Sequence, residues 1–146
     1  MASADVKQIL LALDQHPSTE QQFFDAMNHH RTTLRNTIHH YMEKNHADVI
    51  LYPTVAIMPP LVTDIHGPEW VIDHKGQKVS QFLITAKNTD VAAAANLPAI
   101  TLPSEARSDK DHLPIGIELA SLTGYDRRLI ASARALEKLI LGQPMI

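Results

Sequence analysis

The sequence predicts an α/β fold in which a mixed sheet is flanked by helices. Short apolar runs rich in β-branched residues, at residues 49–52 and 98–102, are typical of strands buried on both faces. These runs alternate with segments whose apolar residues recur every three or four positions, as they do in amphipathic helices. Alternation of these two patterns is typical of a layered α/β architecture.

The composition limits the class of protein. The chain has 146 residues, of which 45% are hydrophobic and 20% are charged, so we expect one packed domain rather than a disordered chain. Its formal net charge of −3 comes without a long basic run, which argues against binding to nucleic acid or to an anionic membrane surface. The absence of cysteine excludes disulfides, thiolate zinc sites and a cysteine nucleophile, and it fits a cytoplasmic location. No targeting or membrane-spanning segment is recognisable.

The first predicted helix covers about residues 4–15. Val6, Ile9, Leu10 and Leu13 recur at helical spacing, and Pro17 prevents the helix from continuing. One apolar face of this helix needs a partner. We therefore divide the chain into an N-terminal helical segment, residues 1–17, and a single incomplete domain, residues 18–146.

A second helix is predicted from Thr19 to about Lys44. Ser18 and Gln21 have the spacing of a capping box in front of it. Its apolar stripe consists of Phe24, Met27, Leu34, Ile38 and Tyr41. Arg31 falls inside this stripe, and two interpretations stay open. Either its stem packs while the guanidinium reaches water, or the guanidinium forms an ion pair that fixes the helix on the sheet.

The middle of the chain predicts a strand, a loop and a hairpin. Residues 48–53 form the strand, and Thr54 begins the loop at its C-terminal end. Prolines in residues 55–68 prevent regular secondary structure there. Residues 70–81 have the pattern of a hairpin that turns near Lys75 and Gly76.

The C-terminal half predicts a helix, two strands and a closing helix. Asn88, Thr89 and Asp90 offer N-cap chemistry for a short alanine-rich helix that ends near Asn96 in a left-handed conformation. Strands at residues 98–102 and 114–119 are joined by a charged loop, residues 104–112. The last helix covers about residues 126–141, with a stripe of Leu129, Ala133, Leu136 and Ile140. The predicted strands make a small sheet compared with the apolar surface of the predicted helices. We therefore expect part of the surface against which these helices pack to lie outside the chain.

The residues that could carry chemistry do not form a recognisable catalytic or metal motif. His39 and Glu43 have the i, i+4 spacing of a two-ligand clip, but two ligands do not make a closed site, so we predict no metal site. The five glycines are isolated, which argues against a phosphate loop, and no serine has a glycine neighbour, as the turn around a serine nucleophile would require. We predict no cofactor and no catalytic residue.

Three segments, read in order, resemble the C-terminal part of amidase signature family enzymes. They are Ala-Asp-Val-Ile-Leu-Tyr-Pro-Thr at residues 47–54, the segment 88–103, and His-Leu-Pro-Ile-Gly-Ile-Glu-Leu at residues 112–119. The family typically has an aspartate-led apolar strand ending in Pro-Thr. A segment like Gly-Leu-Pro-Ala-Ile-Ser-Val-Pro-Ala-Gly follows, and then Gly-Leu-Pro-Val-Gly. Residues 88–90 and 124–129 are similar to the arylacetamide branch, meaning mandelamide and indoleacetamide hydrolase-like enzymes. The resemblance covers about residues 20–141.

The sequence departs from the family pattern in two places. Asn96 and His112 stand where the family usually has glycine, and Ser104 and Glu105 replace its Ala-Gly. Asparagine tolerates a positive φ, so Asn96 can keep the turn, whereas Glu105 indicates a changed course for the loop that follows.

The resemblance implies a layered amidase fold, present in part, and hydrolysis of a carboxamide. In the family, a lysine and a bridging cis-serine activate a nucleophilic serine, and all three precede the segments matched here. What the chain would supply is scaffold and pocket wall. Our candidate substrate-binding residues are Thr54, Asn88, Thr89 and Asp90, because α/β proteins bind ligands where strands and helices end. Alternatively, residues 88–90 only cap a helix and Thr54 only follows a strand.

Two functions stay open from the sequence. The chain is either the non-catalytic C-terminal portion of an amidase, as a fragment or a separately encoded piece, or an interaction module that retains the amidase scaffold. In the first case an N-terminal amidase portion completes it, and only then does it bind a small amide. In the second it binds a partner, or itself, through its apolar sheet surface. Both predict self-association or a partner chain.

Overall fold

The computed structural model describes residues 4–59, 71–107 and 112–142. The helices are α1 (Ala4–Gln15), α2 (Glu20–Asp25), α3 (Arg31–Lys44), α4 (Gln81–Ala95) and α5 (Asp126–Ile140). The strands are β1 (Ile50–Pro53), β2 (Val71–His74), β3 (Gln77–Ser80), β4 (Ala99–Arg107) and β5 (Pro114–Ala120). The predicted α/β class is confirmed, and the bounds of α1 match the prediction. None of the described helices is both long enough and apolar enough to cross a bilayer.

Three strands form the main sheet in the order β1, β5, β4, and β2 pairs with β3 in a separate hairpin. Both pairings in the main sheet are antiparallel, whereas the sequence predicts a mixed sheet. The central strand is β5, and among the described residues β1 and β4 lie at the edges. The prediction that both apolar runs are buried on both faces is wrong for the described chain: Leu51 of β1 is 53% exposed, and Ala99 and Thr101 of β4 are exposed. An apolar run also does not specify the neighbours with which a strand pairs.

Alternation of side chains along β5 separates two apolar clusters, one on each face of the sheet. On one face, Leu119 packs with Leu102 and with Leu129 and Ala133 of α5. On the other, Ala120 packs with Ala92, Ala95 and Leu97, against which Ile38 and Tyr52 also lie. The sheet therefore lies between α5 and the pair formed by α3 and α4.

The second predicted helix begins one residue later than its predicted cap implies. Thr19 is the N-cap: its Oγ1 accepts a hydrogen bond from the Gln22 amide at 3.2 Å, and its own amide donates to Gln22 Oε1 at 2.8 Å. The prediction assigned this capping box to Ser18 and Gln21, which have the same spacing. The sequence contains two overlapping boxes, and the spacing alone does not distinguish them.

A π-helical turn, Ala26–His30, joins α2 to α3 and shifts the buried face of the helix. Met42 is completely buried in α3, and Ile38 packs against the core. By contrast, Phe24, Leu34 and Tyr41 are 48%, 37% and 58% exposed, so the predicted stripe is wrong at these positions. The π turn contains one additional residue and so rotates the side chains that follow it, Leu34 and Tyr41 among them, which an uninterrupted helical period does not anticipate. Phe24 precedes this turn, so the rotation does not explain its exposure.

Arg31 ties this helix to α4. Its Nε donates a hydrogen bond to the carbonyl of Ala94 at 3.1 Å. Ala94 lies in the last turn of α4, where carbonyl groups lack helical partners and the helix dipole favours a positive charge. The contact fixes α3, as one of the two interpretations expects, but through a backbone carbonyl rather than an ion pair.

The predicted hairpin is confirmed over the described strands β2 and β3. Lys75 and Gly76 form its turn with φ angles of 55° and 79°, and two consecutive positive φ angles are what a type I′ turn requires. The Gly76 amide also donates to Asp73 Oδ1 at 3.0 Å.

The predicted short helix is the C-terminal half of a longer one. Ser80 is the N-cap of α4, and its Oγ accepts a hydrogen bond from the Leu83 amide at 3.4 Å. Asn88, Thr89 and Asp90 therefore lie inside α4, and their predicted capping role is wrong. The helix ends as predicted, at Asn96 in the left-handed conformation with φ 56° and ψ 48°.

The segment between the last two strands is more ordered than predicted. Residues 104–107, which were predicted to be loop, continue β4 with an irregularity between Pro103 and Arg107. Residues 108–111 of this predicted loop lie outside the described residues. Residues 60–70 also lie outside them; these belong to the predicted loop 55–68 and to the start of the predicted hairpin. The closing helix, α5, is confirmed within one residue of its predicted bounds.

Candidate functional site

The candidate site lies where β1 ends. Thr54 continues the pairing with β5, because its amide donates to the carbonyl of Gly116 at 3.0 Å. Its Oγ1 lies 3.5 Å from Thr101 Oγ1, the hydroxyl of a residue on β4. The two hydroxyls thus approach each other across the central strand, on the face of the sheet that carries Gly116.

Gly116 makes this approach possible. A Cβ at this position would lie 2.8 Å from Thr54 Oγ1 and 3.2 Å from Thr101 Cγ2. The first distance is shorter than side chains in folded proteins tolerate, so any larger residue would displace the two threonines. The lack of a side chain at Gly116 therefore leaves the space that Thr54 and Thr101 occupy.

Asn88 links α4 to the same end of β1. Its Nδ2 donates a hydrogen bond to the carbonyl of Pro53 at 2.7 Å, although the two residues are 35 positions apart. Because Pro53 directly precedes Thr54, the structure brings together two of the four predicted substrate-binding residues. Asn88 is a candidate because a helix is predicted to begin there, whereas it reaches the end of β1 from inside α4. The hydrogen bond itself has no signal in the sequence.

The other two predicted residues are not part of this arrangement. Thr89 is exposed, and its Oγ1 donates to the carbonyl of Ala86 at 3.1 Å within α4. Asp90 is also exposed. A helix turns by about 100° per residue, so three consecutive residues cannot all face the sheet.

A buried polar pair that the sequence does not predict lies beside the site. The hydroxyl of Tyr52 on β1 donates to Glu118 Oε1 on β5 at 2.8 Å, and Glu118 is only 6% exposed. Burial, and then the hydrogen bond and negative charge of Glu118, hold the pKa of Tyr52 above its ordinary value. Only the strand register, Tyr52 opposite Glu118, could have revealed this pair, and the sequence does not specify that register.

A small apolar cavity adjoins Asn88 and Tyr52, between α3, α4 and the sheet. Its volume is about 170 Å³. The lining residues are Ile38, Ile50, Tyr52, Asn88, Val91, Ala92, Leu97 and Ala120. The site as a whole combines an apolar recess with a few hydrogen-bonding groups, as ligand-binding walls do.

The described contacts give the hydroxyl at the end of β1 no activating base. Thr54 Oγ1 is the hydroxyl nearest the end of β1, and the side chain that it approaches is another threonine rather than a base. A hydroxyl needs such a base to become a nucleophile. Among residues 4–59, 71–107 and 112–142, no group of three or more histidine, aspartate or glutamate side chains could hold a metal ion.

Comparison with known proteins decides the family. The amidase family model matches residues 3–130. The chain belongs to the amidase family. A crystal structure of an amidase superposes on 95% of this chain with a TM-score of 0.74 and 22% identity, which supports the fold. This chain covers 29% of that amidase.

Two curated relatives refine the comparison. The indoleacetamide hydrolase of Agrobacterium vitis is 34% identical over 139 residues, which are 94% of this chain and 28% of the relative. The mandelamide hydrolase of Pseudomonas putida is 30% identical over 126 residues, covering 85% of this chain and 22% of the relative. The predicted resemblance to a C-terminal part of the family, with its arylacetamide branch, is confirmed. This amidase chain spans about 28% of the length of such relatives.

Proposed function

We propose that this chain is the C-terminal portion of an amidase that hydrolyses a carboxamide. It supplies scaffold and one wall of the substrate pocket, and the reacting groups come from an N-terminal amidase portion. The observation that carries the proposal is the hydrogen bond of 2.7 Å between Asn88 Nδ2 and the Pro53 carbonyl. It holds α4 against the end of β1, where a pocket wall needs a rigid support.

Thr54 and Asn88 are the substrate contacts that the geometry supports best. The Thr54 hydroxyl can donate and accept, and Asn88 keeps its amide oxygen as an acceptor after its nitrogen has bound Pro53. For Thr89 and Asp90, contact with a substrate requires that the N-terminal portion cover the exposed side of α4. These two residues are therefore the weaker part of the proposed site.

The resemblance to the family defines the proposed chemistry. A lysine, acting through a bridging serine, removes the proton of the nucleophilic serine, whose oxygen attacks the amide carbonyl. That proton passes to the nitrogen as the carbon–nitrogen bond breaks, ammonia leaves, and water hydrolyses the acyl-enzyme to a carboxylic acid and the free serine. The relatives' names, indoleacetamide and mandelamide hydrolase, support an arylacetamide as the substrate class.

Co-expression with a triad-bearing N-terminal portion tests this function. That portion is taken from a related indoleacetamide hydrolase, and ammonia release is followed from indoleacetamide, mandelamide and phenylacetamide. We expect no release from either portion alone and release from the two together. Turnover by this chain alone, abolished by changing one of its own residues, would overturn the proposal.

An interaction module is the second candidate, and the exposure of α1 favours it. Every described side chain of α1 is exposed, including Leu10 and Leu13 at 58% and 61%. Stable binding to the triad-bearing portion without any hydrolysis would support this alternative.

In both cases the cysteine-free composition supports a reducing, cytoplasmic location.

A further inference from the structure

We propose that the outer edge of β1 is the surface on which the N-terminal amidase portion docks, by adding a strand beside Leu51. The identity of this partner rests on the proposed function. The inference adds which edge of the sheet the partner extends, and it concerns binding rather than hydrolysis, so the two proposals can fail separately.

The register of the sheet shows which backbone groups of β1 point away from β5. The Thr54 amide donates to the carbonyl of Gly116, and in an antiparallel pair every second residue bonds to the neighbouring strand in this way. The N–H and C=O of Leu51, and the carbonyl of Pro53, therefore point outward. The hydrogen bond from Asn88 Nδ2 to the Pro53 carbonyl agrees with this direction.

The backbone of Leu51 is unpaired within the described part of the chain. No hydrogen bond between described residues reaches its outward amide or carbonyl. An unpaired strand edge is a template for a further strand. Because Pro53 has no N–H and its carbonyl already binds Asn88, the added strand pairs at Leu51 and ends before Pro53.

The side chain of Leu51 also lacks a cover. Leu51 lies opposite Leu119 in the register, so both side chains project from the same face of the sheet. Leu119 packs against α5 and is 1% exposed, whereas Leu51 is 53% exposed. The apolar cover therefore ends between the central strand and β1, and a partner that adds a strand here would also bury Leu51.

The other edge of the sheet, on β4, is protected against pairing. The Ser121 amide donates to the carbonyl of Pro98, and counting in steps of two from Pro98 places Pro103 at an outward position. Pro103 offers no N–H to an added strand, and Glu105 and Arg107 beyond it are charged and exposed. Proline and charge are devices that keep a strand edge unpaired. No residue of β1 is charged, so β1 is the edge that suits a partner.

An amidase contains enough further chain to supply the partner strand. This chain matches 28% of the indoleacetamide hydrolase of Agrobacterium vitis and 29% of the solved amidase. Main-chain hydrogen bonds give such a strand its affinity, and its alternate side chains give specificity, so we expect an apolar residue where it faces Leu51.

Amide hydrogen exchange tests the proposal. It is followed by NMR on the dilute full chain, and on the same chain co-expressed with the triad-bearing N-terminal portion of a related indoleacetamide hydrolase. We expect the Leu51 amide to exchange about tenfold or more slowly in the complex. The Ala99 and Thr101 amides, which point outward from β4, should keep their rates.

Two proline variants provide a matched comparison. Leu51→Pro removes the outward N–H of β1 and leaves its bonds to β5, so it should weaken the complex by about tenfold or more in sedimentation. Ala99→Pro removes an outward N–H of β4 and should leave the affinity unchanged. If circular dichroism shows that Leu51→Pro does not fold, Leu51→Lys keeps the amide, places a charge at the edge and should weaken the complex likewise.

The outcomes separate this inference from the proposed function. A complex that releases ammonia while the Leu51 amide keeps its rate would overturn the docking edge and leave the function standing. Slower exchange at Leu51 in a complex without hydrolysis would support the edge and count against the function. Slow exchange already in the chain alone would make a second copy the occupant and overturn the choice of partner. Absence of any complex, or equal effects of the two proline variants, would also overturn the proposal.

Discussion

The hydroxyl of Tyr52 and the carboxylate of Glu118 form a hydrogen bond of 2.8 Å that joins edge strand β1 to central strand β5. Glu118 is 6% exposed, and a buried carboxylate is costly unless hydrogen bonds compensate for its lost hydration. The tyrosine therefore has two roles. Its hydroxyl stabilises the buried carboxylate of Glu118, and its ring contributes to the apolar cluster around Ala120.

Replacing this tyrosine should destabilise the protein. Tyr52→Phe keeps the ring but leaves Glu118 without its donor, so we expect a loss of about 1–3 kcal/mol in the free energy of unfolding. Urea denaturation at pH 7 measures the loss. Tyr41→Phe is the control, because Tyr41 is 58% exposed and should change stability little. Equal effects of the two substitutions would contradict the structural role of the pair.

The same pair predicts a dependence of stability on alkaline pH. The pKa of Tyr52 is raised in the folded state by burial and by Glu118, while in the unfolded chain it stays near about 10. The folded state therefore favours the protonated hydroxyl. This contribution is complete below the unfolded pKa and is lost as pH rises towards the folded pKa. We expect the stability difference between wild type and Tyr52→Phe to shrink above about pH 10. A difference that stays constant across this range would contradict the assignment.

Gly116→Ala should be destabilising because of its two threonine neighbours. The added methyl group would lie 2.8 Å from Thr54 Oγ1, and overpacking of this kind costs about 1–3 kcal/mol. Thr54→Ala removes that oxygen, so the double substitution should cost less than the sum of the two single ones. A double-mutant cycle by urea denaturation measures this coupling. Additive effects would show that the methyl group does not meet Thr54.

The local backbone conformation was predictable from the sequence wherever one or two residues determine it. The turn at Lys75 and Gly76 and the left-handed end of α4 at Asn96 are such cases. The start of α4 was not, because Ser80 and Asn88 are both acceptable caps and only tertiary packing selects between them. The π-helical turn was not predictable either, because the spacing of the apolar residues does not reveal it.

The candidate site was predictable only as far as chain topology determines it. Asn88 lies near Thr54 because its side chain binds the carbonyl of Pro53, the preceding residue, where the end of β1 and a face of α4 come together. Tyr52 and Glu118 escaped prediction because their contact depends on the register of two strands that lie 66 residues apart. An apolar run does not encode that register, since a shift by two residues keeps the same face buried.

Asn88 and Thr89 should respond differently to alanine. Asn88→Ala removes a hydrogen bond to the end of β1 and should cost about 0.5–1.5 kcal/mol. Thr89→Ala removes only a bond within α4 and should stay within about 0.5 kcal/mol. Alanine is a better helix former than either residue, so helix propensity cannot produce the loss at Asn88. Thermal and urea unfolding compare the two variants, and equal losses would contradict a specific role for the Asn88 link.

The exposed apolar face of α1 predicts self-association of the chain in the absence of a partner. Leu10, Leu11 and Leu13 are 58%, 48% and 61% exposed, and a helix of 12 residues is marginally stable in water unless one face is buried. We expect sedimentation to detect species larger than 16.2 kDa and a hydrophobic dye to bind. The double substitution Leu10→Lys and Leu13→Lys should shift the protein towards monomer and reduce dye binding, whereas Gln15→Lys on the same helix adds a charge at an exposed polar position and should do neither. A wild-type chain that sediments as a monomer, unfolds cooperatively and binds no dye would show that α1 needs no partner, and the expected dependence on a second chain would be wrong.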